Sequence, residues 1–193
     1  MKILLIIPAY NEENCITKVI DELVERYPQY DYIIVNDGST DHTSEICHKS
    51  GYEIIDLPIN LGLAGAFQTG LKYAYLKNYD YAMQMDADGQ HLPEYIEALI
   101  KKINEGYDIV IGSRFVTEKK PKSMRMLGSN MISWAIHMTT GVRVMDPTSG
   151  MRIFNRNMIK EFASNINYGP EPDTISFLLK QGAKTVSYTH LTL

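Results

Sequence analysis

The sequence ILLIIPAYNE, residues 3–12, joins a continuous apolar run to a polar loop that begins at Pro8. Runs of leucine and β-branched residues without alternation are typical of a parallel strand that is covered on both faces. The run is too short to cross a bilayer, and no cleavage site of the secretory type follows it. We therefore predict a buried first strand over residues 3–7 and no membrane-spanning segment.

Helical and strand patterns alternate along the chain after this first strand. The segment that opens at Glu12 and Glu13 carries apolar residues at helical spacing, namely Ile16, Val19, Ile20, Leu23 and Val24. Further strands are predicted at residues 31–36, 52–56, 81–85 and 108–112, and further helices after Asp41 and at 61–77 and 93–105. Alternation of this kind through short links predicts a doubly wound α/β fold, with a mostly parallel sheet flanked by helices.

The pattern is less regular after Phe115. We predict a charged loop at residues 117–122, a Met-rich helix at 124–140 that forms core or an apolar acceptor groove, and a strand at 151–155. We expect a single domain over residues 1–186, with a nucleotide-binding part at 1–115 and an acceptor part at 116–186. Residues 187–193, SYTHLTL, do not continue the pattern, and we expect an atypical tail left by truncation or a sequence scar.

The composition restricts the class of partner. The chain has 193 residues, of which 45% are hydrophobic and 22% charged, as in an ordinary globular domain. A net charge of −4 argues against a nucleic-acid partner, whose binding surface should be basic. Cys15 and Cys47 lack metal-ligand spacing, so we expect buried, reduced thiols in a cytoplasmic protein.

Two acidic residues follow the predicted fourth strand. Asp86 and Asp88 lie on one side of the chain if it stays extended, and together they can hold a hard cation such as Mg²⁺ or Mn²⁺. A diphosphate can fill the open positions of that cation, and Gln90 can add a ligand. The alternative for the pair alone is a polar turn that caps the next helix.

Other polar residues stand at the ends of the neighbouring predicted strands, where ligands bind in sheets of this kind. The Asp37 carboxylate can accept the N3–H of uracil or the N–H edge of guanine, or it can satisfy its own turn. Arg114 and Arg152 can each bind phosphate in a bidentate manner or form a surface salt bridge. Asp146 either supplies a carboxylate to a bound substrate or caps a turn. The segment at 62–66 lacks the G-x-G-x-x-G pattern of a dinucleotide-binding loop.

Taken together, these motifs resemble those of family 2 glycosyltransferases, and within that family the branch of dolichyl-phosphate mannose synthase and the bacterial polyprenyl-phosphate sugar transferases. The motifs are residues 8–12 (PAYNE), 36–41 (NDGSTD), 60–62 (NLG), 85–91 (MDADGQH), 112–114 (GSR) and 146–152 (DPTSGMR). The resemblance implies a GT-A fold, a nucleoside-diphosphate-sugar donor, and inversion at the anomeric carbon.

The resemblance also assigns roles to residues. It implies that the nucleoside contacts Pro8, Tyr10, Glu12 and Asp37, and that Mg²⁺ or Mn²⁺ and the diphosphate contact Asp86, Asp88 and Gln90. Arg114 and Arg152 would face phosphate groups, and Asp146 would lie beside the transferred sugar. The expected catalytic residues are thus Asp88, Arg114 and Asp146.

The resemblance also implies that the acceptor is a polyprenyl or dolichyl phosphate, reached by peripheral contact at the inner face of the cell membrane. A phosphate oxygen needs no general base, whereas a saccharide hydroxyl in cell-envelope polysaccharide synthesis needs one, and Asp146 is the candidate. Two other classes remain open, a nucleotidyltransferase and an inactive sugar-nucleotide-binding domain. The first loop is neither glycine-rich nor basic, which disfavours the nucleotidyltransferase.

Overall fold

The computed structural model describes residues 1–85, 95–112, 124–142, 144, 149–164 and 172–188. The strands within these ranges are β1 Ile3–Ala9, β2 Asp31–Asn36, β3 Ile54–Asp56, β4 Tyr81–Gln84, β5 Ile109–Gly112, β6 Arg152–Asn155 and β7 Thr185–Tyr188. The helices are α1 Ile16–Arg26, α2 Thr43–Lys49, α3 Gly62–Leu76, α4 Tyr95–Ile103, α5 Met124–Thr140, α6 Arg156–Ser164 and α7 Pro172–Lys180.

The described strands form one sheet in the order β3-β2-β1-β4-β6-β5-β7. β6 runs antiparallel to both of its neighbours, and the other pairings are parallel. The predicted mostly parallel sheet is therefore confirmed. Because β6 runs in the opposite direction, its first residue lies at the edge where the other strands end.

β1 lies at the centre of the sheet, and the residues from Leu4 to Ile7 are fully buried. Leu5 and Ile7 pack on the face covered by α1 and α4, whereas Leu4 and Ile6 pack on the face covered by α3 and α6. Helices on both faces explain why the strand has no polar alternation, as its sequence predicted.

Four sequence-based expectations need correction. α1 begins at Ile16, four residues after Glu12, and Val24 is 46% exposed. β7 continues through Ser187 and Tyr188, which pair with β5, so the regular structure extends two residues into the expected tail. Cys47 is fully buried, and burial raises the pKa of its thiol to about 11, but Cys15 is only half-buried.

The fourth correction concerns the Met-rich helix α5. Ile136 is buried, but Met131, Trp134 and Met138 are 65%, 65% and 66% exposed. These three side chains recur at helical spacing and form an apolar stripe, so the interpretation as core is wrong for them. Within the described residues, no helix is both long enough and apolar enough to span a bilayer.

Candidate functional site

The loops that follow β1 and β2 lie side by side and are joined by hydrogen bonds. The backbone N–H of Asp37 donates to the carbonyl of Ala9 at 2.8 Å. The Ser39 hydroxyl accepts the N–H of Asn11 at 3.0 Å, and the Asn11 side-chain oxygen accepts the N–H of Thr40 at 2.8 Å. Asn11 has a φ of 58°, a left-handed conformation that asparagine tolerates better than most residues. We call residues 10–13 and 37–43 the clasp.

A second group of bonds closes the clasp at the start of α2. The N–H of Glu12 donates to the Thr43 hydroxyl at 2.8 Å, and the N–H of Glu13 donates to Asp41 at 3.1 Å. Asp41 also accepts the N–H of Thr43, the first residue of α2, at 3.0 Å, although His42 directly precedes the helix. Side chains thus satisfy backbone donors that water would otherwise solvate, and they fix the relative position of the two loops.

An ion pair adds to the clasp. The Glu13 carboxylate accepts the N–H of His42 at 3.0 Å and contacts its Nδ1 at 2.9 Å. The hydrogen bond from the His42 backbone, followed by that from its ring, lowers the pKa of Glu13. The same side-chain bond, with the charges of Glu13 and Glu45, raises the pKa of His42.

Asp37, the first residue of the second clasp loop, is buried, at 3% exposure. Its Oδ1 accepts the N–H of Leu61 at 2.7 Å, and no described residue donates to Oδ2. Gly38 follows with a φ of +66°, and a Cβ there would lie 2.7 Å from the backbone of Ile59 and Asn60. The carboxylate is therefore held by one oxygen in a turn that requires glycine, and its second oxygen retains an acceptor site.

The other predicted nucleoside residues occupy the same edge of the sheet. Tyr10 is 46% exposed, directly after β1. Pro8 pairs in register with Val35 near the end of β2, and the Glu12 carboxylate accepts the Cys15 thiol at 2.8 Å. The structure thus brings Pro8, Tyr10, Glu12 and Asp37 to two adjacent strand ends.

Arg152 is the first residue of β6 and is 3% exposed, so it is a buried residue and not the surface residue that the salt-bridge alternative assumed. It pairs in register with Gln84 on one side and Ile111 on the other. Its Nε donates to the carbonyl of Ser149 at 2.7 Å. Since Gln84 stands two positions before Asp86, the register places a buried cation where the chain approaches the predicted acidic pair.

The predicted metal ligands Asp86, Asp88 and Gln90 lie outside the described residues, as do Arg114 and Asp146. The described part of the chain contains no group of three or more His, Cys, Asp or Glu that could hold a metal ion. The N–H of Met85 donates to the carbonyl of Ile6 at 3.0 Å, so the chain is still bonded to β1 one residue before Asp86. Two carboxylates and an amide oxygen are hard oxygen donors, which suit Mg²⁺ or Mn²⁺.

One set of contacts near Asp37 was not predicted from the sequence. The buried Asn36 side chain donates to Asp56 at 2.7 Å, and Asp56 contacts the His48 ring at 2.7 Å. These residues are 8 to 20 positions apart, so no local spacing reveals the contact. The sequence did offer one signal for this contact: Asp56 ends the third predicted strand, at the same edge of the sheet as Asp37.

The family model for glycosyl transferase family 2 matches residues 4–163, which is most of the chain. The chain belongs to this family. It is accordingly a glycosyltransferase, as the sequence motifs predicted.

Two relatives carry names that state an activity. The UDP-N-acetylglucosamine–dolichyl-phosphate N-acetylglucosaminyltransferase of Methanococcus voltae is 35% identical, over 85% of this chain and 73% of the relative. The undecaprenyl-phosphate mannosyltransferase of Micrococcus luteus is 31% identical, over 83% of this chain and 69% of the relative. Both names place the relatives among transferases that act on polyprenyl or dolichyl phosphates.

A solved structure with the same fold is the glucosyl-3-phosphoglycerate synthase of Mycobacterium tuberculosis in complex with Mn²⁺, UDP and glucosyl-3-phosphoglycerate. It has a TM-score of 0.68 at 20% identity, over 100% of this chain and 72% of that chain. In the matches to two other solved structures of the synthase, this chain spans 57% of the synthase chain. The likeness confirms the GT-A fold.

Proposed function

We propose that the protein transfers a sugar from a UDP- or GDP-linked donor to a polyprenyl or dolichyl phosphate, with inversion at the anomeric carbon. Relatives named for this class of acceptor are 28–35% identical to the chain. The chemistry is a direct displacement. An acceptor phosphate oxygen forms a bond to the anomeric carbon as the bond from that carbon to the nucleoside diphosphate breaks on the opposite face.

The observation that carries the proposal is the buried Asp37 carboxylate in the clasp. Oδ1 is held by Leu61, and no described donor occupies Oδ2. A carboxylate oxygen in this position is suited to an N–H of uracil or guanine. Because the surrounding bonds are already formed, the donor nucleotide would bind without ordering these loops.

At the diphosphate end, Asp86, Asp88 and Gln90 would hold Mg²⁺ or Mn²⁺. When bound, the ion supplies positive charge that offsets the negative charge developing on the departing diphosphate. Arg152 is buried at the same edge, so its guanidinium would act on phosphate in a region from which water is largely excluded. Arg114 follows the end of β5 by two residues and would add a second cation.

The acceptor class is favoured by the apolar stripe of Met131, Trp134 and Met138 on α5. Large apolar side chains that are about two-thirds exposed fit a polyprenyl chain or a lipid surface better than a free saccharide. A phosphate acceptor is anionic near neutral pH, so the transfer would need no general base and Asp146 would orient the sugar. This acceptor implies peripheral contact with the inner face of a membrane.

The test is an incubation with UDP- and GDP-sugars, Mn²⁺ and a polyprenyl phosphate, followed by assay of nucleoside diphosphate and glycolipid. We expect equimolar release of nucleoside diphosphate and lipid-linked sugar, with the opposite anomeric configuration in the product. The dephosphorylated polyprenol is the acceptor control, and Asp88→Ala should abolish turnover. Release of pyrophosphate would favour a nucleotidyltransferase. Transfer of the sugar to a saccharide and not to the lipid would refute the assignment of a lipid phosphate as the acceptor.

A further inference from the structure

A hydrogen-bonded chain connects the surface of α2 to the turn that carries Asp37. Asn36, the last residue of β2, is 3% exposed, and its Nδ2 donates to Asp56 Oδ1 at 2.7 Å. The Asn36 Oδ1 accepts the N–H of Ser39 at 3.1 Å. The amide of Asn36 therefore bridges the end of β3 and the turn at residues 37–39.

Asp56 determines which way this amide faces. An ionised carboxylate can only accept hydrogen bonds, so it selects the NH₂ group of Asn36 and directs the carbonyl oxygen toward Ser39. With the amide reversed, two oxygens would face each other at Asp56, and the NH₂ group would face the N–H of Ser39. Through Asn36, the Asp56 carboxylate thereby fixes the oxygen that accepts the N–H of Ser39 in the turn.

Asp56 is in turn held from two sides. Its backbone pairs in register with Asn36, and its Oδ2 contacts His48 Nε2 at 2.7 Å. Partial burial raises the pKa of Asp56, but hydrogen bonds from Asn36, His48 and Ser44 outweigh it and lower the pKa. The carboxylate is therefore ionised at neutral pH, as the amide orientation requires.

We propose that Asp56 is a positioning residue for the donor nucleoside. It fixes the Asn36 amide, which holds the Asp37-Gly38-Ser39 turn so that Asp37 presents Oδ2 to the base. The inference rests on the proposed function, because it assumes that Asp37 reads the nucleobase. It adds a residue that touches neither the nucleotide nor the sugar.

The experiment is calorimetric titration of UDP, GDP, ADP and inorganic pyrophosphate into the protein with Mn²⁺. Asp56→Leu removes the acceptor for Asn36 and keeps the branching at Cγ, and we expect about tenfold weaker binding of the preferred nucleoside diphosphate. The variant's preference for this nucleoside diphosphate over those with other bases should fall by the same factor. Its affinity for pyrophosphate should equal that of the wild-type protein. Asp56→Asn can still accept from Asn36, and we expect binding within about twofold of wild type.

A matched control is Asp31→Leu. Asp31 begins β2 at the opposite edge of the sheet and accepts the Tyr79 hydroxyl at 2.9 Å. This variant should lower the thermal midpoint and leave base preference unchanged. If Asp56→Leu does not fold, Asp56→Ser takes its place, since its shorter side chain withdraws the acceptor from Asn36.

A double-mutant cycle separates positioning from general destabilisation. In an Asp37→Ala background, Asp56→Leu should cause no further loss of nucleotide affinity, because the group that it positions is gone. An equal loss in both backgrounds, or an equal loss for pyrophosphate, would overturn the inference. If Asp56→Leu binds nucleoside diphosphates with the affinity and base preference of the wild-type protein, the inference about Asp56 is overturned and the proposed function stands. If the wild-type protein itself binds no nucleoside diphosphate, the proposed function is overturned.

Discussion

The clasp and helix α5 present opposite kinds of surface. In the clasp, Asn11, Ser39, Asp41 and Thr43 bond to the backbone of the neighbouring loop or helix. On α5, three large apolar side chains, Met131, Trp134 and Met138, are about two-thirds exposed. The contrast indicates that one region is preorganised for a polar, water-soluble ligand, and that the other gains energy by removing apolar surface from water.

If the diphosphate lies between these two regions, Arg152 contacts it. Replacing Arg152 should then lower kcat more than replacing residues of either region. Arg152→Met keeps the apolar stem and removes the cation, so we expect kcat to fall about a hundredfold at saturating substrates. The matched control is Arg156→Met, which removes a bond of 2.8 Å to the Tyr79 carbonyl at the opposite edge of the sheet. Equal losses of kcat in the two variants would indicate that Arg152 is only structural.

Asp37 tests the donor side alone. Asp37→Asn can keep the acceptor for Leu61 but presents an NH₂ group where the carboxylate presented Oδ2. We expect the donor KM to rise about tenfold with an unchanged acceptor KM, measured by initial rates. A change confined to the acceptor KM would contradict the assignment of the clasp to the nucleoside.

Trp134 and Met138 test the acceptor side alone. Replacing both with glutamine should raise the KM for a long-chain polyprenyl phosphate about fivefold, because apolar contact area is lost. The donor KM should stay the same, and a short, water-soluble acceptor should be used as before. Leu76→Gln is a matched control, since Leu76 is an exposed apolar residue on α3. If that control has the same effect, α5 is not the acceptor surface.

The pair of Glu13 and His42 gives the smallest expected effect. The pKa of His42 is raised above its usual 6.5, so its contribution to stability is complete below that value and is lost as the pH rises through the raised pKa. The pKa of Glu13 is lowered from 4.5, so its contribution is lost only as the pH falls through the lowered pKa. Glu13→Gln should flatten this dependence, measured as thermal midpoint between about pH 5 and about pH 8. An identical pH profile in the variant would show that the pair does not stabilise the clasp.

The central strands could be predicted because their burial on both faces leaves a continuous apolar run. The predicted strand at residues 31–36 has the same bounds in the structure, and the helix at 124–140 also begins and ends where expected. Local sequence could not reveal that β6 inserts between β4 and β5, because a strand pattern does not encode its neighbours. It also could not distinguish an exposed Met131 or Trp134 from a buried one, because periodicity defines an apolar face but not what covers it.

The candidate site was predictable as a set of strand ends but not as a network. The motifs along the sequence predicted Asp37 and Arg152 at strand ends on one edge of the sheet, and both lie at that edge in the structure. The bonds between Asn11 and Ser39, or Asn36 and Asp56, join residues 28 and 20 positions apart. Such pairs become neighbours only when parallel strands meet, so spacing alone does not reveal them.

The reversed direction of β6 has a consequence for how this fold can be re-engineered. β5 ends at Gly112 and β6 begins at Arg152, and the N–H of Gly112 donates to the carbonyl of Met151 at 2.8 Å. The two ends of the 39-residue segment between these strands, residues 113–151, are thus hydrogen-bonded to each other. A graft that exchanges this segment has adjoining junctions, and it must also preserve the packing of α5 against α7.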